Sequence, residues 1–156
     1  MNEMTYKKSL AKGLLAGLIG GVVATAVKTF AERMYPPRTH GEAEPREMLA
    51  EKLAGHALAV KEKEAAATAI QWGFGALSGA AYGGLAEYYP AATAKDGAGF
   101  GMALASLTHQ SMLPALGLEA EPEEQTARER TSEMATHVMY GVVTEMVRRV
   151  VRKILG

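Results

Sequence analysis

The sequence predicts an all-α fold, an integral membrane four-helix bundle with a short amphipathic helix in its first connection. Three observations predict it: charges are segregated along the chain, small residues recur every fourth position inside the uncharged runs, and turn signals separate those runs. The averages alone do not show this. The chain has 156 residues, 17 basic and 17 acidic side chains and 48% hydrophobic residues, values common in soluble proteins. Yet 15 uncharged residues lie between Lys12 and Lys28, 22 between Glu64 and Glu87, and 22 between Asp96 and Glu119. A hydrocarbon layer about 30 Å thick needs about 20 mostly apolar helical residues. The second and third runs meet that length directly. The first meets it if Lys12 and Lys28 extend their amines toward opposite head-group layers.

Composition also excludes chemistry. The absence of cysteine rules out disulfides, thiolate metal sites and cysteine catalysis. A net charge of zero offers no general attraction for nucleic acid.

The first spanning helix is predicted over 9–35, ending at Pro36-Pro37 because proline cannot continue a helix interior. Lys7, Lys8 and Lys12 precede its apolar stretch and no clear small-residue cleavage site follows, so it reads as a retained anchor. Gly13, Gly17 and Gly21 share one face, a spacing that lets two helix backbones approach closely. Residues 36–64 form a polar connection with one short helix, opened by Pro45 and stopped by Gly55. Its Leu49, Leu53 and Val60 form an apolar side suited to a membrane surface or to capping the bundle.

The second spanning helix is predicted over 65–89, with Gly75, Gly79 and Gly83 continuing the small-residue spacing and Tyr88 and Tyr89 at an interface. The third covers 98–116. Glu119, Glu121, Glu123 and Glu124 then read as an acidic loop that solvates a turn. The fourth is predicted over 131–153, where Glu145 can pair with Arg148 or Arg149 one turn on, as an inner-end ion pair. Basic residues at both ends of the chain favour both termini in the cytoplasm, against Arg38, Arg46, Lys52, Lys61 and Lys63 in the first connection.

Ser132-Glu133, His137, Glu145 and Arg148-Arg149 resemble the closing segment of the YagU-like bacterial inner-membrane proteins, a family of unknown function. Pro36-Pro37-Arg38 after a glycine-rich helix, Tyr89-Pro90 and His109 follow in a compatible order, so the resemblance spans about Gly13 to Lys153. It implies a four-helix protein of the bacterial cytoplasmic membrane and supplies no reaction, cofactor or partner. Its functional hint is an association with acid survival.

Ionisable residues inside spanning segments are costly and usually face the bundle interior. Lys28, Glu32, Gln71, His109, Gln110 and His137 fall at one depth if the four helices alternate in direction, forming a polar layer near the outer face. Three readings compete for it. One is an interhelical hydrogen-bond network in which Lys28 neutralises Glu32. Another is a proton-responsive layer, in which protonating either histidine beside Lys28 adds repulsion and loosens the outer end. The last is metal or haem ligation by His109 and His137. No further ligand at metal-site spacing accompanies them in sequence, so no metal or other cofactor is assigned. His40 and His56 read as solvated.

No phosphate-binding loop or nucleophile–base arrangement is present in the pattern, and no enzyme is expected. The predicted function is a non-enzymatic membrane protein that contributes to acid tolerance through the polar layer. The alternative is an accessory structural subunit of a larger membrane complex. The partners expected are the lipid bilayer and either a second copy of the chain or other membrane subunits. Self-association is suggested because the glycine stripes on two helices exceed what one pairing needs. A soluble bundle is the competing class, disfavoured because each interior glycine costs about 0.5–1 kcal/mol relative to alanine.

Overall fold

The computed structural model describes residues 7–156, and among them every regular element is helical. Helix α1 spans Leu10–Met34. The Ser9 hydroxyl caps it, accepting from the Lys12 amide, and it stops at Tyr35, directly before the proline pair. Helix α2, Pro45–Ala54, begins on proline and ends at Gly55 in the left-handed region (φ 75°). It packs on α3, and its Lys52 amine reaches the Leu116 carbonyl, so it covers one end of the bundle.

Helix α3 spans Val60–Tyr88 and begins earlier than the apolar pattern predicts. Its first turn is charged, and the Glu62 carboxylate accepts from the Ala59 amide. A turn over Pro90–Gly97 leads to α4, Ala98–Leu107. The third predicted span is then interrupted. Thr108–Met112 forms a π-helical turn before the short α5, Leu113–Ala115. The wide turn lies just ahead of Pro114, whose ring in a regular helix would clash with the carbonyl four residues back.

Helix α6, Ala127–Leu155, starts four residues before the predicted boundary. The reason is a reciprocal cap: Thr126 Oγ1 accepts from the Glu129 amide at 3.2 Å, and Glu129 Oε2 accepts from the Thr126 amide at 2.7 Å.

The long helices pack in a series in which α1 lies between α3 and α6, and α6 lies between α1 and α4. The α1–α3 contact is backbone against backbone. A Cβ built on Gly17 would lie 2.1 Å from the Gly79 carbonyl oxygen, and one on Gly79 would lie 2.4 Å from that of Gly17. Gly21 meets Gly75 and Gly13 meets Gly83 in the same antiparallel way. The two stripes therefore serve each other within one chain. No surplus is left, and the basis for expecting self-association is removed. A second close crossing joins α4 to α6, where Gly97 faces Gly141 and Gly101 faces the His137 carbonyl.

Tyrosines fill the space between α3 and α6. Tyr82 stacks on Phe100 with ring centroids 4.4 Å apart, and Phe100 lies 6.2 Å from the Tyr140 ring. The Tyr82 hydroxyl donates to Glu145 at 2.8 Å, and that of Tyr140 donates to the Gly75 carbonyl.

Replacing Gly17 or Gly79 with alanine must force the α1–α3 pair apart. The expected loss is at least about 1–3 kcal/mol, read from the unfolding midpoint. Gly73, on the same helix as Gly79, has no atom within 4 Å of an added Cβ. Gly73→Ala is therefore expected to be neutral or to stabilise by up to about 1 kcal/mol.

Candidate functional site

One end of the bundle holds a cavity of about 640 Å³ between α1, α2, α3, the π turn and α6. The second half of α1 contributes Thr25, Lys28, Thr29 and Glu32 to its wall. Lys28 and Glu32, one turn apart, form an ion pair. From α3, Gln71 donates to the Thr29 hydroxyl at 3.0 Å and accepts from Arg46 of α2. Tyr140 and His137 line the α6 side, and the π turn presents His109.

The charged centre of this chamber is a closed ring of four side chains. Arg38, in the segment after the proline pair, forks between two carboxylates. It donates to Glu119 through one guanidinium nitrogen and to Glu133 through another, at 3.0 Å. The second oxygen of each carboxylate turns to His109. Glu119 Oε2 is 2.7 Å from its Nδ1, and Glu133 Oε2 is 3.2 Å from its Nε2. All four side chains are nearly enclosed. Gln125 donates to the His109 and Ala120 carbonyls, which ties the loop before α6 to the π turn.

His137 packs edge-on against His109, with ring centroids 4.9 Å apart. Its Nδ1 is 2.8 Å from the Glu133 carbonyl oxygen, one helical turn earlier, and donates to it. The two rings stand closer than axial ligands on opposite faces of a haem can, and Gly101 packs directly on the His137 backbone, so no haem fits between them.

Of the polar layer predicted from sequence, Lys28, Glu32, Gln71, His109 and His137 line this one chamber. Gln110 does not; it is exposed on the π turn. Sequence reasoning assigned Glu119 to a solvated acidic turn, whereas its side chain is buried (2% exposed) between Arg38 and His109. Arg38 and Glu133 went unassigned as well. The available signal was Glu133 four residues before His137, on one face of a helix.

A second buried ionic cluster lies toward the other end. Glu145, fully enclosed, accepts from Arg148 Nε at 2.6 Å, from Arg149 Nε at 2.6 Å and from the Tyr82 hydroxyl. Nearby, Glu87 accepts from Arg152 and from the Ser9 amide. Every carboxylate oxygen here has a donor, which makes this cluster a clamp between helices rather than a reacting group.

Fold and site together define a helical bundle with a charged interior chamber. The chain belongs to the family described as a protein of unknown function, DUF1440, whose model matches residues 22–146. No curated protein and no solved structure matches the chain.

Arg38→Met would remove the guanidinium that joins Glu119 to Glu133 and leave two buried carboxylates without their cation. The expected cost is about 3–5 kcal/mol, read as a lowered unfolding midpoint. Arg38→Lys, a point charge that cannot fork, is expected to recover only part of that loss.

Proposed function

We propose that this chain is a multi-pass protein of the bacterial inner membrane, of the YagU-like type, whose bundle holds a polar binding chamber within the bilayer and performs no catalysis. The observation that carries the reading is inverted burial. Among the described residues, the buried positions are mostly glycine, alanine, threonine and paired charges, with Pro45, Pro114, Gln125, Ser132, His137 and two tyrosines, and Leu118 is the only large aliphatic side chain among them. The large apolar side chains point outward on every long helix, as with Phe30 (64% exposed), Leu77 (70%), Leu107 (61%) and Ile154 (77%).

Water-soluble proteins bury leucine, isoleucine and phenylalanine and rarely expose contiguous apolar surface beyond a few hundred Å². In lipid the preference reverses, because hydrocarbon solvates large aliphatic groups and helices associate through small residues and interhelical polar contacts. By length and composition, α1 alone among the described helices is apolar enough to cross a membrane. For α6 that measure counts charges irrespective of direction, and Glu133, Glu145, Arg148 and Arg152 are turned inward and buried. Exposed Tyr35 at one end, and Tyr88 and Tyr89 at the other, suit the two interfaces of a bilayer.

The Lys12 amine donates to the Leu155 and Gly156 carbonyls, at 2.7 Å each, so α1 begins where α6 ends. Lys8, Lys12, Arg149 and Lys153 gather at that end, which supports a cytoplasmic position for it.

The chain is expected to remain with the membrane pellet after an alkaline carbonate wash and to need detergent for extraction. A purified chain that stays monodisperse in plain buffer would sink the reading. Reporter fusions at both ends are expected to show cytoplasmic signals.

A further inference from the structure

We propose that His109, Glu133 and His137 bind a first-row divalent transition metal ion of the Zn²⁺ and Co²⁺ class, with Glu119 orienting His109. The site occupies the chamber described above but does not depend on that chamber lying in lipid. One donor atom from each of the three residues lies within 4.8 Å of the other two. Around an ion with bonds near 2.1 Å, neighbouring donors stand roughly 3.0–3.4 Å apart. His109 Nε2 and Glu133 Oε2, at 3.2 Å, already have that spacing. A ring nitrogen of His137 lies within 4.8 Å of both, so a small side-chain movement closes the set.

The hydrogen bonds around the histidines prepare them for this role. Glu119 Oε2 accepts from Nδ1 of His109, so that in the neutral ring the lone pair lies on Nε2, facing Glu133. This is how an outer carboxylate fixes the tautomer of a metal-binding histidine. Two acceptors at 3.2 Å repel unless a cation stands between them. A proton can stand there, but it makes no use of His137, whereas a metal ion uses all three donors. His137 is set in the same tautomer, since its Nδ1–H donates to the Glu133 carbonyl and the Nε2 lone pair is left free. Its side chain is 6% exposed and lines the chamber.

The π turn brings His109 to this position, and such turns recur at functional sites. Two imidazoles and a carboxylate, in a chain without cysteine, form a borderline donor set that favours zinc, cobalt or iron(II) over copper(I) or an iron–sulfur cluster. Three protein ligands leave at least one coordination position for water or a ligand from the chamber.

The test uses the full chain, purified without metal and titrated with Co²⁺ and then Zn²⁺. The expected result is one equivalent of Co²⁺ with visible ligand-field absorption, displaced by one equivalent of Zn²⁺. X-ray absorption of the Zn²⁺ form should show the outer-shell scattering of two imidazoles. His109→Gln, His137→Gln and Glu133→Gln should each weaken binding at least 100-fold, and Glu119→Gln by about 10- to 100-fold. Replacing exposed His40 and His56 together should leave binding intact. A wild-type chain that gives no Co²⁺ absorption, or a signal that survives loss of both His109 and His137, overturns the proposal. Should a variant not fold, the wild type still decides. Stoichiometric Zn²⁺ must raise its Tm, and an unchanged Tm overturns the site. Failure here leaves the membrane reading standing, and a chain that proves water-soluble can be titrated in the same way.

Discussion

The backbone contact between α1 and α3 is the constraint on which the remaining architecture depends. Where Gly13, Gly17 and Gly21 meet Gly83, Gly79 and Gly75, no room exists for even a methyl group between the helices. Two helices that close can hold no large side chains at their contact, so leucine, valine and phenylalanine take the outer faces. Large aliphatic side chains of the kind that water-soluble proteins bury lie on the surface here. Dispersion between closely matched backbones, together with buried polar contacts, then carries the cohesion that burial of large aliphatic groups supplies in water.

The chamber begins where the glycine stripe ends. Beyond Gly21, the same side of α1 carries Thr25, Lys28 and Glu32, and beyond Gly75, toward its N-terminus, α3 carries Gln71 and Thr68. Larger, polar or charged side chains stand there in place of glycine and line the cavity. The Thr25 hydroxyl, which donates to the Gly21 carbonyl and abuts Gly75, marks the transition. Tight packing at one end and an ionic chamber at the other are thus two consequences of a single change in residue size along α1.

Much of the helical layout was legible in the sequence. The proline pair, a glycine stop and the charge-free runs place α1, α2 and the start of α4 to within a residue or so, and α3 to within five, because each boundary is a local event. The start of α6 was legible too, in the Thr126–Glu129 cap, but the charge pattern drew attention further along. The chamber was legible only in part. Lys28, Gln71, His109 and His137 stand out because they interrupt apolar runs. Arg38, Glu119 and Glu133 lie among other polar residues, and nothing local separates a buried carboxylate from a solvated one. Only the fold, which returns the loop after α5 against the segment after Pro37, makes Glu119 a partner of Arg38 and His109. The π turn was hidden for a similar reason, since Pro114 announces a disturbance but not its form.

The Arg38 ring has a further consequence for how the molecule comes into being. Its bonds join positions 81 and 95 residues apart in the chain. During synthesis α1, with Arg38 just beyond it, is complete long before Glu119 and Glu133 exist. That guanidinium must therefore remain hydrated or borrow temporary acidic company while the middle of the chain is made. Arg38 can meet Glu133 only once α6 has docked, so that helix closes a ring whose first member was made much earlier.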